Sequence, residues 1–107
     1  MKINIMKESI PYITEVTIAG TTFQFEFTYN SYDKRVYITL YDIEDNLIYP
    51  NEPILFGIPL WFNKLVDEKG NFNKKYPQKY IIPNTLDRKA VKIDYENIDK
   101  IELLVEE

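Results

Sequence analysis

A regular alternation of apolar and polar side chains runs through the first half of this chain and limits the folds it can adopt. In the segment TFQFEFTY, Phe23, Phe25 and Phe27 fall on one side of an extended backbone, and polar residues fall on the other. Residues 36–41, VYITLY, repeat the same alternation. Because successive side chains of a strand point to opposite faces of the sheet, both segments predict β-strands with one buried face.

Shorter extended segments follow the same pattern between turn residues. Gly20 is expected as the first central residue of a type II′ hairpin turn, and Pro50 and Pro53 are expected to stop ladder pairing after Tyr49. A short helix is conceivable at residues 61–66 or near Asn97, but neither pattern is long. The strands we predict are residues 2–6, 13–19, 22–29, 36–41, 47–49, 80–82, 90–93 and 101–105, with residues 54–60 as a further short buried strand.

These elements predict an all-β fold for residues 1–107 as one domain. The architecture expected is a small barrel or sandwich of about seven to eight mostly antiparallel strands, with one long loop at residues 61–78. A chain of 107 residues with 45% hydrophobic side chains buries roughly two-thirds of its unfolded surface, which is enough for a core.

Composition excludes several classes of function. The chain has no cysteine and no histidine, which removes disulfides, thiol nucleophiles, zinc sites of the Cys/His type and catalysis by imidazole. Its net charge of -4 argues against nucleic-acid binding of the basic kind and leaves no polybasic membrane patch. Lys7 and Glu8 interrupt the apolar start, and the apolar run at residues 54–62 is too short to span a bilayer. We therefore expect a soluble protein without a signal peptide, kept inside a cell or particle.

The acidic segment DIEDN, residues 42–46, has two interpretations. As a calcium loop it would need a glycine at the bend and a bidentate acid several residues later, and it has neither. As a hairpin turn it is well made, because Asp45 and Asn46 tolerate a positive φ between two apolar runs. We predict the hairpin and no metal site. The neighbouring acids Asp67 and Glu68 are expected to be solvated surface rather than a catalytic pair.

The long loop holds the candidate interaction residues. Its segment NKKYPQKY mixes lysines with tyrosines, which can hold single-stranded nucleic acid, but in an acidic chain a protein contact or a solvated loop is favoured. A carbohydrate platform on Trp61 is a weaker alternative. We predict no catalytic residue, no cofactor and no metal, and a partner-binding surface made of Trp61, Phe62, Phe72, Lys74, Lys75 and Tyr76.

The order of these segments resembles the phage baseplate plug family of contractile tails, known from cyanophage. In that family a YN…W/RxYxxLYDxxGxxL segment precedes a G-(V/I)-P-L segment, and residues 29–47 and 57–60 match both here. Asp45 and Asn46 replace the usual glycine of the DxxG turn. The resemblance covers most of the chain up to about residue 60.

The resemblance implies a structural, non-enzymatic part of the virion tail baseplate near the central hub, assembled in the host cytoplasm. It implies other baseplate or tail proteins as partners, a possible homo-oligomer and no cofactor or membrane contact. The alternative function is a small phage-encoded inhibitor or regulator that binds a host or competitor protein by surface contact.

Overall fold

The computed structural model describes residues 1–106, and in that range it contains seven β-strands in two antiparallel sheets. One short helix, α1 (Phe62–Leu65), and two 3-10 turns, Lys7–Ser9 and Ile98–Lys100, complete the regular structure of the described range. The all-β prediction is confirmed. The strands are β1 (Lys2–Asn4), β2 (Tyr12–Ile18), β3 (Thr21–Tyr29), β4 (Val36–Asp42), β5 (Leu47–Pro53), β6 (Ile81–Thr85) and β7 (Ile101–Val105).

The two sheets are built from different parts of the chain. Strands β2, β3, β4 and β5 form a four-stranded meander in chain order, whereas β7 lies between β1 and β6 in the smaller sheet. Every strand pair is antiparallel. The sheets do not close into a barrel, so the fold is sandwich-like, one of the two architectures expected.

The core holds the face that the alternation predicts. Phe23 is 3% exposed, and Phe25 and Phe27 are fully buried. Their neighbours in the same core come from both sheets, which places the core between them: Val16, Ile18, Val36, Ile38 and Leu40 from the larger sheet, and Ile3, Ile81, Ile101, Leu103 and Val105 from the smaller. Burial of three Phe side chains supplies on the order of 5 to 9 kcal/mol of transfer free energy before conformational entropy is subtracted.

The turn between β2 and β3 differs from the one predicted. Ile18 pairs with Thr21, so Ala19 and Gly20 are the two central residues. Both have positive φ, 51° and 83°, which is the type I′ geometry rather than type II′. The type II′ prediction was wrong because β2 ends one residue earlier than expected.

The acidic segment DIEDN is a hairpin turn between β4 and β5, as predicted. The backbone N–H of Asp42 donates to the Asn46 carbonyl at 3.0 Å. The Oδ1 atom of Asp42 accepts the backbone N–H groups of Glu44 and Asn46, each at 2.9 Å. Asp45 adopts φ 68°, which is the left-handed conformation that Asp tolerates better than most residues.

The prediction that the two prolines end β5 was wrong. The strand continues through Pro50 to Pro53, pairing Tyr37 with Pro53 and Ile38 with Glu52. An edge strand tolerates proline because only one side of it needs backbone donors. The register shifts beside Leu40 are the local irregularities that accommodate the change.

Two predicted strands are absent from the described range. Residues 90–93 do not pair, because the Thr85 hydroxyl donates to the Lys89 carbonyl at 2.9 Å and Arg88 takes φ 63°, which turns the chain away. Residues 54–60 form no strand either. Instead, the N–H groups of Gly57 and Leu60 donate to carbonyls of β6, each at 2.9 Å, so this segment lies along the outer edge of β6.

Candidate interaction surface

Trp61 anchors the long loop in the core. Its side chain is 2% exposed, and its ring meets Phe25 edge to face, with the centroids 5.5 Å apart. The residue takes the left-handed conformation, φ 56°, immediately before α1, and its carbonyl accepts the N–H of Leu65 at 3.0 Å. Trp61 therefore holds the start of the loop against the core and does not face solvent.

Glu52 of β5 supports this anchor. Its Oε2 atom accepts the backbone N–H of Trp61 at 2.6 Å. Burial raises the pKa of the Glu52 carboxyl above its ordinary value, and the hydrogen bond from Trp61 partly offsets that rise. This hydrogen bond satisfies a backbone N–H at the start of α1, for which the helix itself has no acceptor.

Tyr76 closes the other end of the buried cluster. It is 6% exposed, and its ring lies 6.5 Å from that of Trp61. Burial raises the pKa of the Tyr76 phenol, and the nearby Tyr49 and Glu52 add to that rise. The structure thus places two of the six predicted interaction residues inside the protein, because Trp61 packs on Phe25 of β3 and Tyr76 packs on Trp61.

An aspartate-centred turn shapes the loop between these anchors. The Oδ1 atom of Asp67 accepts the N–H groups of Lys69 and Asn71, each at 2.9 Å, and Gly70 takes φ 84°. Beyond the turn, Val66 bridges Phe72 and the N–H of Asn73 donates to the Leu65 carbonyl at 2.7 Å. The loop is therefore folded on itself, and Asp67 accepts the hydrogen bonds that shape its turn.

The other four predicted residues remain on the surface. Phe62 is 58% exposed and Phe72 is 36% exposed, although the Phe72 ring also packs 5.7 Å from Tyr80. Lys74 and Lys75 are both exposed. The loop thus offers aromatic and cationic groups to solvent above a buried aromatic base.

The two lysines share a groove with hairpin residues that the sequence interpretation missed. This groove has a volume of about 440 Å³ and runs between the β2–β3 turn, the β4–β5 turn and the loop. Ile43 and Leu47 line it and are 51% and 57% exposed. The sequence could have indicated them, since Ile43 lies within the turn at residues 42–46 and Leu47 directly follows it, positions where polar residues are usual.

The burial of two aromatic rings bears on the carbohydrate and nucleic-acid alternatives considered for the loop. Because Trp61 is buried, it cannot provide an open platform for a sugar ring. Tyr76 is likewise buried, so it cannot stack on a base, and the half-buried Tyr80 ring lies 5.7 Å from that of Phe72.

Within residues 1–106, no group of three or more acidic side chains is arranged to hold a metal ion. Asp42 uses both carboxylate oxygens inside its own turn, since Oδ2 accepts the Asn46 side chain at 3.0 Å. None of the helices in this range is long and apolar enough to cross a membrane.

Comparison with protein families shows which family the chain belongs to. A family model described as the cyanophage baseplate Pam3 plug gp18 matches residues 1–105. The chain belongs to this baseplate plug family. Comparison with curated proteins finds none that matches the chain.

Membership of the baseplate plug family confirms the resemblance seen in the sequence and extends it beyond residue 60. The chain is a structural component of a phage baseplate, and its family implies contacts with other baseplate or tail proteins in the virion tail. The DxxG turn of the family is made here by residues 42–46, with Asp45 in the left-handed position where glycine is usual.

Proposed function

We propose that this baseplate plug acts without catalysis, through protein contacts made near the hub of a contractile tail. The observation that carries the proposal is the exposure of Phe62, at 58%, above a base in which Trp61 is 2% exposed. Aromatic side chains, Phe among them, are enriched at the centres of protein interfaces, and the packed base holds Phe62 in position. Residues 1–107 act as one unit in this function, and assembly takes place in the host cytoplasm.

The exposed part of the contact surface comprises Phe62, Phe72, Lys74 and Lys75, with Ile43 and Leu47 added by the structure. Trp61 and Tyr76 contribute by holding the loop in place. The groove beside Lys74 and Lys75 also carries the carboxylates of Asp42 and Glu44. It therefore suits a partner that presents apolar side chains together with charges of both signs.

Point substitutions test the surface better than shortening the loop. Deletion of residues 71–75 would remove the Val66–Phe72 bridge and the bond from Asn73 to Leu65, so loss of function would not separate misfolding from loss of contact. Phage carrying Phe62→Asp, or Lys74→Glu with Lys75→Glu, should make folded plug but assemble few infectious particles. Lys69→Glu is the matched control, since it reverses an exposed charge in the same loop.

The measurements are the melting temperature of each purified variant, its amount in purified particles by mass spectrometry, and the phage titre. Normal titres with the variant plug incorporated would contradict the proposed surface. The alternative function, inhibition of a host or competitor protein, predicts that the wild-type protein is absent from purified particles. Its presence there in stoichiometric amount would exclude that alternative.

A further inference from the structure

The two sheets have four outer edges, and three of them are protected. β5 carries Pro50 and Pro53, which lack backbone donors. β6 is covered by the segment whose Gly57 and Leu60 N–H groups donate to it. β1 is only three residues long. Proline, coverage and shortness are the usual means by which sheet proteins prevent pairing with another chain.

The fourth edge, β2, has none of these protections. It is seven residues long, contains no proline and pairs only with β3. Ile18 and Thr21 flank a two-residue turn and so exchange backbone bonds with each other, and in an antiparallel pair this bonding recurs at every second residue. The N–H and C=O groups directed away from β3 therefore belong to Ile13, Glu15 and Thr17.

The hydrogen bonds of the neighbouring strands agree with this alternation. The N–H of Asn30, which follows β3, donates to the Arg35 carbonyl at 3.0 Å, so even-numbered residues of β3 bond towards β4 and odd-numbered ones bond towards β2. Within residues 1–106, the backbone groups of Ile13, Glu15 and Thr17 have no hydrogen-bond partner. They form a free row of alternating donors and acceptors along the edge.

A groove of about 340 Å³ runs beside this edge, between β2 and the N-terminal segment that includes β1. Thr14 and Val16 line it from β2. Met1 and Met6 line its other side and are 56% and 54% exposed. Methionine side chains adapt their shape to irregular apolar partners, and such residues are frequent on peptide-binding surfaces.

We propose that β2 is a strand-addition site, which accepts an extended segment of a different protein as a fifth strand of the larger sheet. Alternate side chains of that segment are apolar and enter the groove. On the outer face of the sheet, the segment carries Lys or Arg opposite Glu15, the exposed charge at the centre of β2. The backbone supplies affinity and the alternate side chains supply specificity, as in other complexes formed by strand addition.

The charge of Glu15 is the reason for choosing a different protein over a second copy. If two copies of β2 paired antiparallel over their full length, Ile13 would face Thr17 and Glu15 would face Glu15. Like charges directly opposite each other on neighbouring strands are destabilising, whereas opposite charges stabilise the pair. A cationic residue on the added strand removes this cost.

A tethered probe strand tests the proposal in the full-length protein. The probe alternates Val and Thr over about seven residues, an ordinary strand length, with one central Lys, and a flexible Gly/Ser linker joins it to the N-terminus. Because Met1 lines the groove, the tether holds the probe at an effective concentration of about millimolar or more. A matched probe carries Glu in place of Lys.

Amide hydrogen exchange is the measurement. The Lys probe should slow exchange at Ile13, Glu15 and Thr17 by at least about tenfold, because their N–H groups become hydrogen-bonded. The Glu probe should protect them about two- to fivefold less, which corresponds to one cross-strand charge pair. The variant Glu15→Lys should reverse the preference between the two probes.

Proline variants separate loss of the site from loss of the fold. Glu15→Pro removes an outward N–H and should abolish protection of Ile13 and Thr17 while the melting transition stays cooperative. Thr14→Pro removes an inward N–H and should instead disrupt the β2–β3 hairpin.

Equal exchange at the three amides with and without either probe would overturn the proposal. Protection insensitive to the sign of the probe charge would overturn the assigned partner chemistry. A concentration-dependent dimer that protects β2 without a probe would show that a second copy is the occupant.

Discussion

The ring of Phe25 packs edge to face against Trp61, with an interplanar angle of 82° and 5.5 Å between the centroids. This contact joins the central part of β3 to the start of the long loop. A fully buried residue of the larger sheet therefore also supports the exposed Phe62, which follows Trp61. Core stability and surface geometry are therefore coupled through one aromatic pair.

Truncation of either ring of this pair should lower the stability of the protein. We expect Phe25→Ala to lower the free energy of unfolding by about 3 to 5 kcal/mol, from lost burial and the cavity left beside Trp61. Denaturant unfolding followed by tryptophan fluorescence measures the change. Tyr32→Ala is the control, because Tyr32 is 96% exposed and its removal should leave stability unaltered. A Phe25→Ala protein as stable as the parent would contradict the packing described.

Glu52 should make stability depend on pH. Burial raises the pKa of this carboxyl above its ordinary value, so the folded state holds the proton more tightly than the unfolded state. The contribution of the protonated Glu52 to the free energy of unfolding is present in full below the pKa of the unfolded state. It is lost as the pH rises through the raised pKa of the folded state. Relative to Glu52→Gln, the wild-type protein should therefore lose stability across this interval.

The control for Glu52 concerns its hydrogen bond. Gln keeps an acceptor for the Trp61 N–H, whereas Glu52→Ala leaves that donor unpaired and should be about 1 to 2 kcal/mol less stable than Glu52→Gln at all pH values. Urea unfolding at several pH values distinguishes the two effects. A stability difference between wild type and Glu52→Gln that does not vary with pH would refute the assigned pKa direction.

The type I′ turn between β2 and β3 can be improved. Ala19 holds a positive φ of 51°, a conformation that Asn tolerates better than Ala. We expect Ala19→Asn to stabilise the protein by about 0.5 to 1 kcal/mol, measured by thermal unfolding. Gly20→Ala should destabilise by a similar amount through backbone strain alone, since no atom lies within 4 Å of the added Cβ. Destabilisation by Ala19→Asn would contradict the type I′ geometry, because a type II′ turn with Gly20 as its first central residue leaves residue 19 in the strand, where Asn is disfavoured.

Asp42 should contribute to the loss of stability at acidic pH. The Asn46 side chain and the backbone N–H groups of Asn46 and Glu44 lower the pKa of this carboxyl. Its contribution is therefore present above the unfolded pKa and is lost as the pH falls through the lower native pKa. Asp42→Ala should unfold more readily at neutral pH and show a shallower loss of stability on acidification.

The same residue separates a turn from a metal site. Millimolar Ca²⁺ should leave the melting temperature of the wild-type protein unchanged, because a bound ion would raise it by mass action. A calcium-dependent rise that Asp42→Asn and Asp45→Asn both abolish would contradict the turn assignment.

The strands that the sequence identified well are those whose pattern reflects a single buried face. The alternation around Phe25 placed β3 to within one residue of its observed start, and residues 36–41 lie within β4. β5 was shortened because the penalty for proline depends on whether a strand lies at an edge, and edge position is a property of the whole sheet. Residues 90–93 were misassigned because the hydrogen bond from Thr85 to Lys89 outweighs a weak local preference for strand.

Only part of the interaction surface could be predicted from the sequence, because burial also depends on the whole fold. The composition of the loop drew attention to all its aromatic residues, but composition does not reveal which of them another strand covers. Phe25 and Glu52 cover Trp61 from 36 and nine positions away in the chain. Ile43 and Leu47 were overlooked because one lies within and the other directly follows a turn that was considered only as a metal loop or a hairpin.

The protection of three sheet edges has a consequence for assembly. A sheet protein with two open edges can take a strand on one side and offer its own on the other, which allows growth without limit. Here the larger sheet ends at the proline-bearing β5, so a strand added to β2 cannot be relayed across the molecule to a further chain. Strand addition would end at each copy, and a population of these molecules would form complexes of fixed composition rather than filaments.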